Sequence, residues 1–316
     1  MGTSKVAASF RVQRPGGDLE VHDLTGPADT GTDGGTPALI LAAHGITANA
    51  LSWQPVADEV SRRSGPTAVR FLAPDLRGRA GSRGLQGRWG LGAHVDDLMA
   101  VADAAGAERV VLLGRSMGAF IAALAAARHP ARVRAAVLVD GGLAFPTPPG
   151  TDVDEMLHAV IGPAMARLSM RFADEHAYLD FWREHPALAP TFTSPAADAL
   201  SAYLLHDLVR DGDGWVSSCV PDAVRADGND VLSDGEVHGA VHVAAAAAVP
   251  MELLWASRGM LDEAQGLYDE SRLATLDVPP SVRVTAVPGV NHYTVLLGPT
   301  GVQHVADAVE RALADG

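Results

Sequence analysis

Short, uninterrupted apolar runs recur along this 316-residue chain and alternate with segments of helical periodicity. Residues 38–43, 110–113 and 136–139 are runs of this kind, made only of Ala, Val, Leu and Ile. A strand takes such a run, rather than alternating apolar and polar residues, when helices cover both faces of its sheet. Together with a hairpin expected around residues 15–18, the pattern predicts an α/β fold with a mostly parallel central sheet flanked by helices.

The alternation of strands and helices stops near residue 142 and resumes near residue 249. The intervening segment has helical patterns and Pro-, Asp- and Gly-rich joints, but no convincing buried strand. We therefore predict a core domain of residues 1–142 and 249–316 and an inserted helical cap domain of residues 143–248. Helices are expected in the cap at 153–170, 175–184 and 196–209, and in the core after it at 263–274 and 302–314.

The composition is that of an acidic globular protein, with 47% apolar residues and a net charge of −14 at pH 7. Such a charge repels phosphate backbones and anionic membrane surfaces, so no nucleic-acid and no membrane partner is expected. Cys219 is the only cysteine, which excludes an intrachain disulfide and a cysteine zinc cluster. Neither a secretion signal nor a membrane-length apolar stretch is apparent, and a cytoplasmic location is expected. The oligomeric state is left open, a homodimer included.

A Gly-x-Ser-x-Gly motif at residues 114–118 stands between an apolar strand and an alanine-rich helix. A serine in a strained strand-to-helix turn exposes its hydroxyl, and glycines two residues away on either side remove Cβ atoms that would collide. The helix that follows directs its free N–H groups towards the reacting centre. In this context the motif predicts that Ser116 is a nucleophile.

The chain resembles the α/β-hydrolase superfamily over nearly its whole length. The resemblance implies a capped serine hydrolase that needs no cofactor, and the superfamily includes esterases, lactonases, carbon–carbon bond hydrolases and perhydrolases. A serine nucleophile disfavours the dehalogenase and epoxide-hydrolase branches, which need a carboxylate. The motifs that carry the resemblance stand in the family's order: His44-Gly45, Asp75-Leu76-Arg77-Gly78-Arg79-Ala80-Gly81-Ser82, the turn at Ser116, Arg128-His129-Pro130 and Gly289-Val290-Asn291-His292.

A serine hydroxyl becomes a good nucleophile when a base takes its proton and a carboxylate orients that base. His292 follows the last predicted strand in a Pro-Gly-Val-Asn turn, so it is expected at the same sheet edge as Ser116. It also completes the order serine, acid, histidine along the chain. We therefore predict that His292 is the general base.

Two aspartates are alternatives for the acid. In many family members the acid lies a few residues past the penultimate strand, where this chain has Gly259, with Asp262 three residues later. The other position known in the family directly follows the strand after the helix of the serine motif, and Asp140 stands there. We favour Asp140 and keep Asp262 as the alternative. A structural role in capping the following Gly-Gly turn is the other interpretation of Asp140.

The negative charge of a tetrahedral intermediate requires two N–H donors held in place beforehand. The amides of Met117 and Ile46 are predicted to supply them. Gly45 is expected to leave room for the backbone beside the substrate, and His44 to tie loops together. Cap residues predicted to line a substrate pocket, with simple packing as the alternative for each, are Trp182, Trp215 and Met156.

The predicted activity is cleavage of a carboxylic ester or lactone of a medium-sized apolar small molecule through an acyl-enzyme intermediate. No metal is expected, because Glu236, His238 and His242 have zinc-like spacing but no further neutral ligand. An acid at Asp140 beside a serine nucleophile resembles the zearalenone-type lactonases. The alternatives are a carbon–carbon bond hydrolase, a perhydrolase-like enzyme, and a non-catalytic ligand-binding protein of the same fold.

Overall fold

The computed structural model describes residues 8–26, 37–65, 67–144, 150, 152, 155–156, 162 and 164–315. Eight strands form one sheet in the order β1-β2-β4-β3-β5-β6-β9-β10, and β7 and β8 form a separate hairpin. β1 and β2 are antiparallel to their neighbours, and all later neighbours in the large sheet are parallel. The strands are β1 (Ala8–Arg14), β2 (Gly17–Asp23), β3 (Ala38–Ala43), β4 (Val69–Pro74), β5 (Val110–Arg115), β6 (Val133–Val139), β7 (Leu208–Asp211), β8 (Gly214–Ser217), β9 (Met251–Ala256) and β10 (Val282–Val287).

Helices cover both faces of this sheet, which confirms the predicted fold class. Neighbouring residues of one strand serve opposite faces of the sheet. Leu112 belongs to the apolar cluster that includes side chains of α2, α3, α6 and α7, and Val111 belongs to the cluster that includes side chains of α1 and α10. The helices are α1 (Gln54–Ser64), α2 (Leu91–Ala104), α3 (Met117–Arg128), α4 (Glu175–Arg183), α5 (Ala197–Leu205), α6 (Pro221–Ser233), α7 (Gly235–Ala246), α8 (Glu270–Leu273), α9 (Thr294–Leu297) and α10 (Pro299–Asp315). None of the described helices combines the length and apolar character needed to cross a membrane.

The predicted cap interval, residues 143–248, contains two kinds of structure. Its second part, α6 and α7, lies against the core, with Val237, Ala240 and Val241 buried beside the alanines of α3. Its first part forms a separate apolar cluster over the sheet edge, built from α4, α5 and the β7–β8 hairpin. Helical periodicity cannot tell a cap helix from a sheet-flanking helix, and this packing favours a cap that ends before Pro221. Of the predicted helix 153–170, residues 155–156, 162 and 164–167 are helical, and residues 153–154, 157–161 and 163 lie outside the described residues.

The segment predicted as a helix at 263–274 is mostly irregular, and only Glu270–Leu273 is helical. Two contacts account for the difference. The carboxylate of Glu263 accepts from the amide of Leu261 and so stabilises a tight turn rather than a helical turn. Gly266 approaches the Ala256 carbonyl so closely that a Cβ atom would lie 2.2 Å from its oxygen. Tertiary contact with β9 therefore overrides the local helical pattern.

Candidate active site

Ser116 occupies a sharp turn between β5 and α3. Its backbone angles, φ 58° and ψ −124°, are strained for a residue with a side chain. The neighbouring glycines are required by space, because a Cβ atom on Gly114 would lie 2.0 Å from the Gly118 oxygen and one on Gly118 would lie 2.0 Å from the Ala43 oxygen. The sequence motif thus folds into a nucleophile elbow that carries Ser116 at the carboxyl edge of the parallel strands.

His292 and Asp140 meet at the same edge of the sheet. His292 Nδ1 lies 2.5 Å from Asp140 Oδ2, and both side chains are buried. The second carboxylate oxygen of Asp140 accepts from the Ala256 amide at 3.0 Å, which fixes the carboxylate plane. Asp140 also has a positive φ of 47°, a left-handed conformation that aspartate tolerates better than most residues. A carboxylate at Nδ1 leaves Nε2 of the neutral imidazole as the proton acceptor.

Asp262, the alternative acid, has different partners. Arg258 Nε donates to its carboxylate at 2.7 Å, and the Asn291 side-chain amide donates to it at 3.0 Å. The Arg258 guanidinium is the main cause that holds the pKa of Asp262 below its usual range. Asn291 directly precedes His292, so Asp262 stabilises the loop that carries this histidine. None of the described hydrogen bonds joins Asp262 to the imidazole.

The pKa of His292 lies below the usual histidine value. Burial is the main cause, and the nearby Arg115 guanidinium acts in the same direction, whereas Asp140 opposes both.

His44 has a different role, because its Nε2 accepts from the Leu76 amide at 2.9 Å and its Nδ1 donates to the Gly45 carbonyl at 2.8 Å. Burial lowers the pKa of His44 to about 3, so this histidine is neutral and connects two loops through its hydrogen bonds.

The amides of Met117 and Ile46, which are predicted to receive an oxyanion, donate no hydrogen bond to another described residue. Met117 begins α3, where backbone N–H groups have no partner within the helix. Gly45 lies against Ser116, since a Cβ atom there would be 3.4 Å from Ser116 Cβ.

A small cavity of about 20 Å³, room for about one water molecule, lies beside Ser116 and His292. Its apolar lining includes Ile46 of the core and Trp182 of the cap. Trp215 is not part of this lining, because it lies in β8 and pairs with Phe172 through backbone hydrogen bonds of 2.8 Å. Met156 is half-buried and does not line this cavity either. Both remain predictions as pocket residues.

The family model described as "alpha/beta hydrolase fold" matches residues 38–299 of this chain. The chain belongs to the alpha/beta hydrolase family. It is 32% identical over 137 residues to Lipase LipV of Mycobacterium tuberculosis, a match that covers 42% of this chain and 49% of the lipase. It is 34% identical over 122 residues to 2-hydroxymuconate semialdehyde hydrolase of Pseudomonas sp. strain CF600, covering 37% and 41% of the two proteins. The match therefore spans half or less of each curated relative.

Solved structures agree on the fold of this alpha/beta hydrolase. The crystal structure of E-2-(acetamidomethylene)succinate hydrolase superposes with a TM-score of 0.70 at 21% identity, over 98% of this chain and 100% of the other. A thermophilic esterase from Thermogutta terrifontis superposes with a TM-score of 0.62 at 20% identity, over 98% of both chains. At such identities the likeness concerns the fold alone.

The three residues with zinc-like spacing in the sequence, Glu236, His238 and His242, have separate partners in the structure. Glu236 pairs with Arg128 at 2.6 Å, His238 contacts the Val231 carbonyl, and His242 lies 3.6 Å from Asp277. A different cluster does converge in this hydrolase. His22 Nε2 and His206 Nε2 lie 3.1 and 2.8 Å from the same oxygen of buried Asp75. Since His206 follows α5 of the cap and Asp75 follows β4 of the core, this cluster ties the cap to the core.

Three residues beside Ser116 were missed by sequence reasoning. Arg115 precedes Ser116, Tyr293 follows His292, and Tyr203 lies in α5 of the cap, yet all three line the cavity next to Ser116. For Arg115 and Tyr293, the available signal was their position next to Ser116 and His292 in the sequence. For Tyr203 no signal was available, because only the tertiary fold brings α5 over the sheet edge.

Proposed function

We propose that this alpha/beta hydrolase cleaves a carboxylic ester or a lactone through an acyl-enzyme intermediate. The observation that carries the proposal is the buried 2.5 Å contact between His292 Nδ1 and Asp140 Oδ2, at the edge where Ser116 occupies a nucleophile elbow. The Met117 and Ile46 amides, which donate to no other described residue, are the proposed donors to the oxyanion that acyl transfer requires.

The chemistry follows from these positions. Ser116 Oγ attacks the carbonyl carbon while His292 Nε2 takes the hydroxyl proton, and the two amides stabilise the oxyanion. Collapse of the intermediate breaks the carbon–oxygen bond, and His292 returns the proton to the leaving alcohol, which in a lactone stays attached to the acyl group. Water then attacks the acyl-enzyme with His292 as base, which releases the acid and regenerates Ser116.

Apolar walls support a substrate with an apolar body. Ile46, Ala48, Ala164 and Trp182 border the cavity beside Ser116. A medium-sized ester or lactone, bound between core and cap, therefore remains the proposed substrate. Hydrolysis of a carbon–carbon bond is the second candidate, favoured by the 34% identity over 122 residues to the 2-hydroxymuconate semialdehyde hydrolase.

The test is turnover of phenyl butyrate, a γ-lactone and a macrolactone by the wild-type protein and the Ser116→Ala variant. We expect at least one substrate to be hydrolysed and kcat to fall by at least about 10³-fold in Ser116→Ala. Ser169→Ala, at an exposed serine, is the matched control and should keep full activity. Absence of turnover with every substrate, or activity retained by Ser116→Ala, would contradict the proposal.

A further inference from the structure

Arg115 differs from the other buried arginines of the described chain in having no acidic partner. Among the four arginines buried to more than nine-tenths, Arg77 contacts Asp97, Arg79 contacts Asp227 and Arg167 contacts Asp207. Arg115 is only 8% exposed and forms no ion pair with a described carboxylate. A guanidinium stays protonated in proteins, and a buried charge without a counter-ion is unfavourable. No carboxylate of the described chain balances this charge, which makes Arg115 a suitable partner for an anionic ligand.

The contacts of Arg115 leave one end of the guanidinium unoccupied. Nε and Nη2 donate to the His292 carbonyl at 3.0 and 2.6 Å, and the guanidinium carbon lies 5.0 Å from the Tyr293 ring centre. Nη1 has no hydrogen-bond acceptor among the described residues. A Cβ atom placed on Gly45 would lie 2.7 Å from Nη1 and 3.4 Å from Ser116 Cβ. The free end of Arg115 thus lies immediately beside the nucleophile.

Two phenol groups share this cavity with Arg115. The hydroxyls of Tyr203 and Tyr293 donate to no described residue, although Tyr203 is only 7% exposed. Burial raises the pKa of Tyr203 to about 12 and also raises that of Tyr293, so both hydroxyls keep their protons near neutral pH. Donors with no protein partner around one cavity are what an anionic ligand requires.

We propose that Arg115, Tyr203 and Tyr293 bind a carboxylate carried by the substrate itself, a few bonds from the carbonyl that Ser116 attacks. The substrate class is then an acidic ester or lactone with an otherwise apolar body, such as a monoester of a short dicarboxylic acid or an ester of a phenolic acid. This inference rests on the proposed hydrolytic function for its turnover test, and it adds an anionic group to the apolar substrate proposed above.

A carboxylate fits this donor set in number and charge. Its two oxygens can accept from the two N–H groups of Nη1 and from the two hydroxyls, and its single charge neutralises the single unpaired guanidinium. The cavity has room for about one water molecule, so the substrate displaces cap side chains such as Trp182 as it enters. Arg115 also positions His292 through the carbonyl contact, an effect that acts equally on charged and neutral substrates.

The test compares kcat/KM for matched ester pairs, with the spontaneous rate subtracted. Phenyl hydrogen glutarate is compared with phenyl valerate for a carboxylate on the acyl side, and 4-carboxyphenyl butyrate with phenyl butyrate for one on the alcohol side. In Arg115→Gln we expect the anionic-to-neutral ratio to fall by about 10- to 100-fold for at least one pair, the effect of a lost charge-assisted hydrogen bond. Arg83→Gln removes an exposed positive charge and should leave both ratios unchanged.

Two further variants test the site if Arg115→Gln does not fold. Tyr203→Phe and Tyr293→Phe keep the rings and remove only the hydroxyls, and each should lower the same ratio by about 3- to 10-fold. A purely positioning role for Arg115 would lower the rates for neutral and anionic esters equally. Ratios that are unchanged in all three variants would overturn the proposal.

A binding measurement separates this inference from the proposed hydrolysis. Calorimetric titration with glutarate should detect binding to the wild-type protein and to Ser116→Ala, and binding should be lost in Arg115→Gln. Glutarate binding without ester turnover would contradict the hydrolytic function and support the anion site. Turnover of neutral esters without glutarate binding, and with unchanged ratios, would contradict the anion site alone.

Discussion

Asp140 and Asp262 follow neighbouring strands of the sheet, but only Asp140 has its carboxylate at His292 Nδ1. The conversion of Asp140 to asparagine should therefore lower kcat on the order of 10⁴-fold, because an amide favours the wrong tautomer of the imidazole. Asp262→Asn is the control and should change kcat only slightly, since Asp262 acts on the loop through Asn291. The measurement is ester hydrolysis by both variants, and the reverse order of effects would exclude Asp140 as the acid.

The pH dependence of activity is a second prediction at the scale of single residues. His292 acts as a base only when neutral, and its pKa is lowered by burial and by Arg115. With phenyl butyrate, kcat/KM should therefore fall only below the usual histidine range near pH 6.5. Arg115→Gln removes a nearby cation, so the acid limb of the profile should move to higher pH. An acid limb that stays in place would show that Arg115 does not act on His292.

Sequence reasoning favoured Asp140 as the acid but could not exclude Asp262. The choice depends on where the last loop places His292, and that placement results from Arg115 and Asn291, which contact the loop from β5 and from the loop itself. The serine and histidine were easier to predict, because a motif and a chain order identify them. Arg115 differs from them, because the residues around it in the sequence do not reveal whether an acidic side chain lies next to it in the folded protein.

The elbow between β5 and α3 makes a prediction at the scale of secondary-structure elements. Gly118→Ala places a Cβ atom 2.0 Å from the Ala43 carbonyl oxygen, and backbone on both sides prevents relief. The free energy of unfolding should fall by about 3 kcal/mol or more. Gly239→Ala is the matched control within α7, where a Cβ atom meets nothing within 4 Å.

The control should be neutral or stabilising by about 0.5–1 kcal/mol, because alanine is the better helix former. Denaturant unfolding of both variants provides the comparison. Equal stability of the two variants would mean that β3 and α3 do not approach as closely as described.

Most helices of the described chain were predictable individually, with the segment 263–274 as an exception, but their placement was not. The alanine-rich segment Gly235–Ala246 has the pattern of a helix in either a cap or a core, and its packing on α3 favours the core. Likewise, β7 and β8 are four-residue strands whose pairing depends on a tight turn and on Phe172 rather than on a long apolar run. Strands of only four residues leave little periodicity to detect.

At the scale of the whole molecule, the Asp75 cluster that joins cap and core should make stability depend on pH. Hydrogen bonding to Asp75 raises the pKa of His206 against the effect of burial, and Glu20 and Asp207 act in the same direction as Asp75. The pKa of Asp75 is held far below its usual range by His206 and His22, against its own burial. The pair is therefore charged in the folded protein over a wide range of weakly acidic pH.

A group with a raised pKa stabilises the fold below its unfolded pKa, near pH 6.5 for histidine, and loses that contribution as the pH rises through its folded pKa. His206→Gln should thus lower the free energy of unfolding by about 1–2 kcal/mol at pH 5.5 and by much less at pH 9. Exposed His176, which faces Asp180, provides the control His176→Gln, expected to have little effect. If His206→Gln lowered the free energy of unfolding by the same amount at both pH values, the prediction of a charged His206–Asp75 pair would be contradicted.

The most direct test of the central claim is covalent labelling of folded protein with a fluorophosphonate, followed by intact-mass and peptide mass spectrometry. An activated serine at the elbow predicts one adduct per chain, on the peptide that contains Ser116, and none in Ser116→Ala. Ser52→Ala, at another buried serine, should label like the wild type. Folded protein that fails to react, or that reacts at a residue other than Ser116, would contradict the account.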